Sequence, residues 1–211
     1  MVDLNHVESL RAIDTTGFFP ALEGLSEQCR EAYALGRETR TPTMADLSAV
    51  VVTGLGGSAI GGDLLRVYCQ ERLRVPVIVN RDYTLPAFVG KKTLVFAVSY
   101  SGNTEETLSA YRQARERGAT IVALTSGGKL AALAAEEGVP VIRVPAGLAP
   151  RAATGYLFIP MLATLESLGL VDGVEAEVEE LVRELARWAA IYGLNSPVAQ
   201  NSAKQLALSF K

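Results

Sequence analysis

From residue 47 onward the chain alternates short runs of β-branched and aliphatic residues with longer stretches of mixed polarity. Ala49–Thr53 (AVVVT), residues 75–80, residues 93–99, Thr120–Thr125 and residues 139–144 are apolar at consecutive positions rather than at every second one. That is the pattern of strands buried on both faces. Residues 59–71, 104–118 and 129–138 lie between these runs and have helical composition. Continuous apolar strands alternating with helices predict an α/β fold: a doubly wound, five-stranded parallel sheet flanked by helices. Residues 81–92 are too few and too proline-containing for a full crossover helix, so a loop or short turn is expected there.

Helical patterns also flank this unit. Phe18, Leu22, Leu25, Cys29 and Tyr33 recur at spacings of three and four and predict one amphipathic helix over residues 18–37, with a packing role. A helix is expected over residues 152–168. Another, over residues 174–192, has early glutamates and later arginines that complement the helix dipole. Residues 197–211 place Ala203, Leu206, Ala207 and Phe210 on one helical face. The expected organisation is an N-terminal helical extension (1–46), a central α/β unit (47–170) and a C-terminal helical segment (171–211).

Composition narrows the function. At 211 residues, with 49% hydrophobic and 20% charged side chains, the chain has ample material for a core and no signature of disorder. A net charge of −3 and a pI near 5.3 supply no broad basic field, so a nucleic-acid partner is not expected and any bound anion must be held locally. No uninterrupted apolar stretch approaches a membrane span, and the N-terminus lacks the apolar core of a signal peptide. A cytoplasmic protein without a membrane partner is therefore expected. Cys29 and Cys69 lack the spacing of a metal or redox pair and read as buried small apolar residues.

The chemistry concentrates where predicted strands end. Gly54-Leu55-Gly56-Gly57-Ser58 follows the first, Ser99-Tyr100-Ser101-Gly102-Asn103-Thr104 the third, and Thr125-Ser126-Gly127-Gly128 the fourth. In an open parallel sheet, ligands bind beyond the carboxyl ends of the strands. Glycines let the backbone approach closely, while free N–H groups and hydroxyls donate to an anion. A phosphate monoester held mainly by neutral donors fits this set. Ser101 and Thr104 are also candidate caps for the following helix, and Ser126-Gly127-Gly128 reads as a turn bordering the site. A dinucleotide reading stays open, because Gly54, Gly56 and Ala59 satisfy G-x-G-x-x-G/A and Asn80, Arg81 and Asp82 follow the next strand. It leaves the Ser99–Thr104 cluster unexplained. Gly127-Gly128-Lys129 is no P-loop, since no glycine lies five residues before Gly128 and no Ser or Thr follows Lys129.

The three glycine- and hydroxyl-rich segments, in that order, together with Pro150-Arg151-Ala152 and Asn201-Ser202-Ala203-Lys204, resemble the sugar isomerase (SIS) domain, and within it the bifunctional phosphoglucose/phosphomannose isomerases. The resemblance runs from about Leu47 to the end of the chain, and residues 99–107 (SYSGNTEET) are its most specific part. It implies that Gly56, Gly57 and Ser58 line the sugar site, that Ser99, Ser101 and Thr104 hold the phosphate, and that Arg151 is the catalytic cation near C1 and C2. It further implies isomerisation of glucose 6-phosphate or mannose 6-phosphate to fructose 6-phosphate through a cis-enediol, with no metal or cofactor, in a homodimer. The family's catalytic glutamate, ring-opening histidine and late lysine belong to a second SIS domain and have no counterpart here. His6, the sole histidine, is expected on the surface. The 171–211 segment is thus expected to lead into a second SIS domain, and a non-catalytic sugar-phosphate-binding or regulatory protein is the competing reading.

Overall fold

The computed structural model describes residues 3–44 and 46–210. Residues 1, 2 and 45 of the expected N-terminal extension, and Lys211 of the expected last helix, lie outside them.

Five strands form one fully parallel sheet: β1 (Ala49–Thr53), β2 (Val77–Asn80), β3 (Thr93–Val98), β4 (Thr120–Thr125) and β5 (Val141–Arg143), in the order β2-β1-β3-β4-β5. The doubly wound expectation is met. Strands β2 and β5 are shorter than the apolar runs around them, and each begins just after a proline, Pro76 or Pro140, whose missing N–H cannot join the ladder. Residues 81–92 contain no helix, as expected. They nonetheless cover the sheet, because Leu85 and Val89 are buried in the same cluster as Val51, Val95 and Ala97.

The two-sided burial is legible residue by residue. Val50 and Val52 of β1, and Leu94, Phe96 and Val98 of β3, face one cluster; Val51, and Val95 with Ala97, face the other. The second face is covered by α5 (Glu105–Glu116) and α6 (Gly128–Glu136). The first is covered by α3 (Leu25–Glu38), α4 (Gly57–Cys69), α7 (Thr154–Ser167) and α8 (Val174–Tyr192). Two short helices, α1 (Val7–Ile13) and α2 (Phe18–Glu23), precede them, and α9 (Ser202–Ser209) follows.

The single helix expected over residues 18–37 is two helices, α2 and α3, meeting at Gly24, whose ψ of 4° breaks the helical run. Glycine carries no helix propensity to resist that break. The expected 152–168 helix starts later: Pro150–Ala152 form a 3-10 turn, and α7 begins at Thr154. The last segment likewise divides into a 3-10 turn (Val198–Gln200) and α9, whose Leu206 and Leu208 are exposed, as is Phe210 just after it.

Cys29 and Cys69 are buried and unpaired, and burial pushes both thiols up to about 11. At neutral pH they stay protonated, and it is the thiolate that reacts. The native protein is therefore expected to show no fast reaction with a disulfide reagent such as Ellman's, and two equivalents after unfolding. Fast native labelling would contradict the burial.

Helix α8 is tied to α4 by Glu177, which accepts hydrogen bonds from the Tyr68 hydroxyl (2.6 Å) and from Arg72 (2.7 Å). These donors, Tyr68 foremost, hold its carboxyl below the ordinary value. A lowered carboxyl contributes stability above its unfolded pKa, and that contribution is lost as pH falls through the folded pKa. Glu177→Gln is therefore expected to lower Tm at neutral pH, with the gap to wild type closing as pH falls below about 4. A gap independent of pH would contradict the linkage.

Candidate functional site

In the order β2-β1-β3-β4-β5 the chain leaves β1 toward one edge and returns at β3 toward the other. The crevice outside the carboxyl ends of β1 and β3 is therefore the topological switch point, where open α/β sheets bind ligands. The two loops with the densest Gly and Ser content open there. Gly54 lets them approach, since a Cβ on it would lie 2.8 Å from the carbonyl oxygen of Val98. Gly56 turns the chain into α4 at φ 54°, ψ −127°, a conformation open essentially to glycine alone. Ser58 follows in the first turn of α4. It is buried, and its Oγ accepts the N–H of Tyr100 at 3.2 Å, joining the β1–α4 loop to the β3–α5 loop.

Within the β3–α5 loop, Ser99 Oγ and Thr104 Oγ1 lie 2.8 Å apart, and Ser99 Oγ also accepts the N–H of Gly102. Ser101 Oγ accepts the N–H of Asn103. Thr104 occupies the N-cap position of α5, but its side chain makes no capping bond, and neither does that of Ser101. The expectation that these two cap α5 is thus corrected: their hydroxyls are engaged inside the loop. Among the described residues, the N–H groups of Glu105, Glu106 and Thr107 in the first turn have no acceptor in the chain. The positive end of the α5 dipole is open to an anion.

A hydroxyl has one proton to donate, and the bonds above show where each proton goes. Ser58 and Ser101 act as acceptors in their bonds, which leaves both protons free. Ser99 and Thr104 share one proton between them and leave one free. By contrast, Ser126 Oγ donates to the carbonyl of Tyr100 (2.6 Å), Thr125 Oγ1 to that of Gly127 (2.9 Å) and Thr107 Oγ1 to that of Val98 (3.4 Å). The structure therefore sorts hydroxyls that look alike in sequence into three open donors around one crevice and a set committed to scaffolding. The 125–128 segment belongs to the scaffold. A Cβ on Gly102 would lie 1.8 Å from the Gly127 oxygen, and one on Gly128 would lie 2.4 Å from the Ser101 oxygen. Asn103 completes the join by accepting the N–H of Lys129 at 3.1 Å.

Arg151 sits in the 3-10 turn that packs on the start of α4. A Cβ on Gly57 would lie 2.9 Å from the Pro150 oxygen and 3.3 Å from the Arg151 nitrogen, so glycine is what brings the turn against the β1–α4 loop. The guanidinium itself is exposed and lies 5.4 Å from the centre of the Phe18 ring, within cation–π range. The structure thus brings together Gly56, Gly57, Ser58, Ser99, Ser101 and Thr104, and joins Arg151 to them through its backbone, with its charged end resting on α2.

Asn80 and Arg81, at the end of β2, are otherwise engaged. Asn80 donates to Thr53 Oγ1 (3.3 Å) and to the Asp82 carbonyl (2.9 Å), and Arg81 pairs with Asp63. His6 is exposed and bonds Ser9. Asn201 and Lys204 cap and brace α9: Asn201 Oδ1 accepts the Lys204 N–H, and Lys204 Nζ donates to the Leu194 and Ser196 carbonyls. Sequence reasoning missed Tyr100, whose backbone N–H fixes Ser58 and whose hydroxyl donates to the Pro145 carbonyl and accepts the Leu148 N–H. It also missed Gln28.

Residues 44–146 match the family described as SIS domain. Residues 44–146 form an SIS domain. The chain is 51% identical over 191 residues to a bifunctional phosphoglucose/phosphomannose isomerase from Caldicellulosiruptor bescii, an alignment that takes in 90% of this chain and 56% of that protein. It is 33% identical over 163 residues to a D-glucosamine-6-phosphate 4-epimerase from Sulfolobus acidocaldarius, over 73% of this chain and 52% of that one. Among solved structures, a hypothetical protein from Thermus thermophilus superposes with a TM-score of 0.64 at 22% identity, over 97% of this chain and 52% of that one; it shares the fold. The chain spans just over half the length of the curated relatives it matches. Within the SIS domain, Ser58, Ser99, Ser101 and Thr104 lie just beyond the β1 and β3 ends.

Proposed function

We propose that this SIS domain binds a hexose 6-phosphate and serves the interconversion of glucose 6-phosphate or mannose 6-phosphate with fructose 6-phosphate. The observation that carries the reading is the set of three open hydroxyl donors beside the free first-turn N–H groups of α5. A phosphate dianion is matched there by neutral donors and a helix dipole, which suits a protein of net charge −3. Ser101, Thr104 and Ser99 hold the phosphate. Ser58, with Gly56 and Gly57, meets the sugar.

In this reading the reaction is a proton transfer between C1 and C2 through a cis-enediol. A base removes the proton, and Arg151 stabilises the charge that develops on the enediolate oxygen. The relative from Caldicellulosiruptor bescii supports the isomerase assignment. The general base and the ring-opening acid come from outside this SIS domain, from a second SIS domain or a partner copy. The exposed Ile60, Leu64 and Val67 along α4 support a homodimer. Two reduced, buried cysteines agree with a cytoplasmic setting.

A binding-only role is the second reading, favoured by the position of the sole histidine at the exposed N-terminal helix. The experiment that separates them is incubation of the full chain with fructose 6-phosphate, followed by phosphorus and proton NMR. Appearance of the aldose phosphates supports isomerisation. Micromolar binding without turnover assigns this chain the binding role alone.

A further inference from the structure

Gln28 lies on α3, in a segment whose sequence suggests packing alone, yet it is 6% exposed and bonds the segment that carries Arg151 through both its amide nitrogen and its amide oxygen. Nε2 donates to the Ala152 carbonyl at 3.1 Å, and Oε1 accepts the N–H groups of Gly155 at 2.7 Å and Tyr156 at 3.3 Å. Ala153, the N-cap residue of α7, has no side chain able to cap, so Gln28 does that work from another helix. Gly155 makes room for it, since a Cβ there would lie 2.8 Å from Gln28 Oε1. A leucine would fill the same space on α3 without the cost of burying an amide, and only the bonds to this turn offset that cost. The turn is thereby gripped from two sides, by Gln28 beneath and by the start of α4 against Pro150. The guanidinium then meets Phe18, which is itself held by Asp14 Oδ2 accepting the N–H of Phe19 at 2.7 Å.

We propose that Gln28 is a positioning residue for Arg151: it fixes the Pro150–Ala152 turn beside the β1–α4 loop, and Phe18 holds the guanidinium. The inference rests on the reading of Arg151 as the cation at C1 and C2. The N-terminal helices are then part of the active apparatus.

The test uses the full chain and two acyclic sugar phosphates measured by calorimetry: 5-phospho-D-arabinonate, which carries a carboxylate where the enediolate charge develops, and sorbitol 6-phosphate, which carries none. Gln28→Leu is expected to weaken binding of the arabinonate by about tenfold or more and of sorbitol 6-phosphate by no more than about twofold. Phe18→Leu, on a surface helix, is expected to show the same selectivity and keeps the test decisive if Gln28→Leu does not fold. A lowered Tm with an unchanged ratio of the two affinities overturns the positioning role. Failure of the wild-type chain to bind either compound overturns the sugar-phosphate reading itself, and the inference with it.

Discussion

Gly102→Ala is expected to destabilise the protein by about 2–5 kcal/mol and to abolish sugar-phosphate binding at accessible ligand concentrations. Gly102 has φ 70°, which costs an L-residue about 1–2 kcal/mol. The new Cβ would also lie 1.8 Å from the Gly127 oxygen and 2.9 Å from Thr125 Oγ1, so the β3–α5 and β4–α6 loops must separate. Separation breaks the bond from the Leu130 N–H to the Gly102 carbonyl (2.9 Å) and displaces Ser101 and Ser99, which belong to the open-donor set; Ser99 Oγ accepts the N–H of Gly102 itself. Gly138→Ala isolates the first effect. Gly138 has φ 66° with open space around it, so only the conformational cost of about 1–2 kcal/mol is expected. Equilibrium denaturation of both variants checks the difference. Equal losses would contradict the close contact between the loops.

Ser101→Ala combined with Thr104→Ala is expected to leave the fold intact and weaken sugar-phosphate binding by about 100-fold or more. Neither hydroxyl supports an element by capping, and Thr104 is half-buried at most, so little stability is at stake. Each hydroxyl donating to a charged phosphate contributes about 1.5–3 kcal/mol, which for two hydroxyls corresponds to roughly two to four decades in affinity. Ser126→Ala is the counter-case. Its proton is committed to the Tyr100 carbonyl, so it is expected to cost stability and to change affinity only through the loop. Circular dichroism and calorimetry on the two variants distinguish donors that face a ligand from donors that hold the scaffold. A larger loss of binding from Ser126→Ala than from the double variant would contradict the assignment.

The sheet was legible because its signal is redundant. Val50 to Val52, Leu94 to Val98 and Ile121 to Leu124 are apolar at every position, and only a strand covered on both faces needs that. The switch point followed from the strand order, and the Gly and Ser runs then marked the crevice. The division at Gly24 was missed because Phe18, Leu22 and Leu25 keep a helical spacing straight across it. Thr104 and Ser101 read as caps because sequence shows a hydroxyl's position but not its partner, and the partner here lies inside the loop. Gln28 carried no signal at all. Its bonds span 124 to 128 residues of chain, and no local pattern distinguishes a glutamine that holds a distant turn from one that faces water. The same holds for Tyr100, whose importance lies in its backbone N–H.

The central claim is that the crevice at the β1 and β3 ends is a phosphate site with a sugar beside it. Calorimetric titration of the full chain with fructose 6-phosphate, and separately with fructose, tests it most directly. The account predicts saturable binding of one fructose 6-phosphate per chain, lost in the Ser101→Ala, Thr104→Ala variant, and no measurable binding of fructose. Equal binding of the two sugars, or sugar-phosphate binding that survives loss of both hydroxyls unchanged, would contradict it.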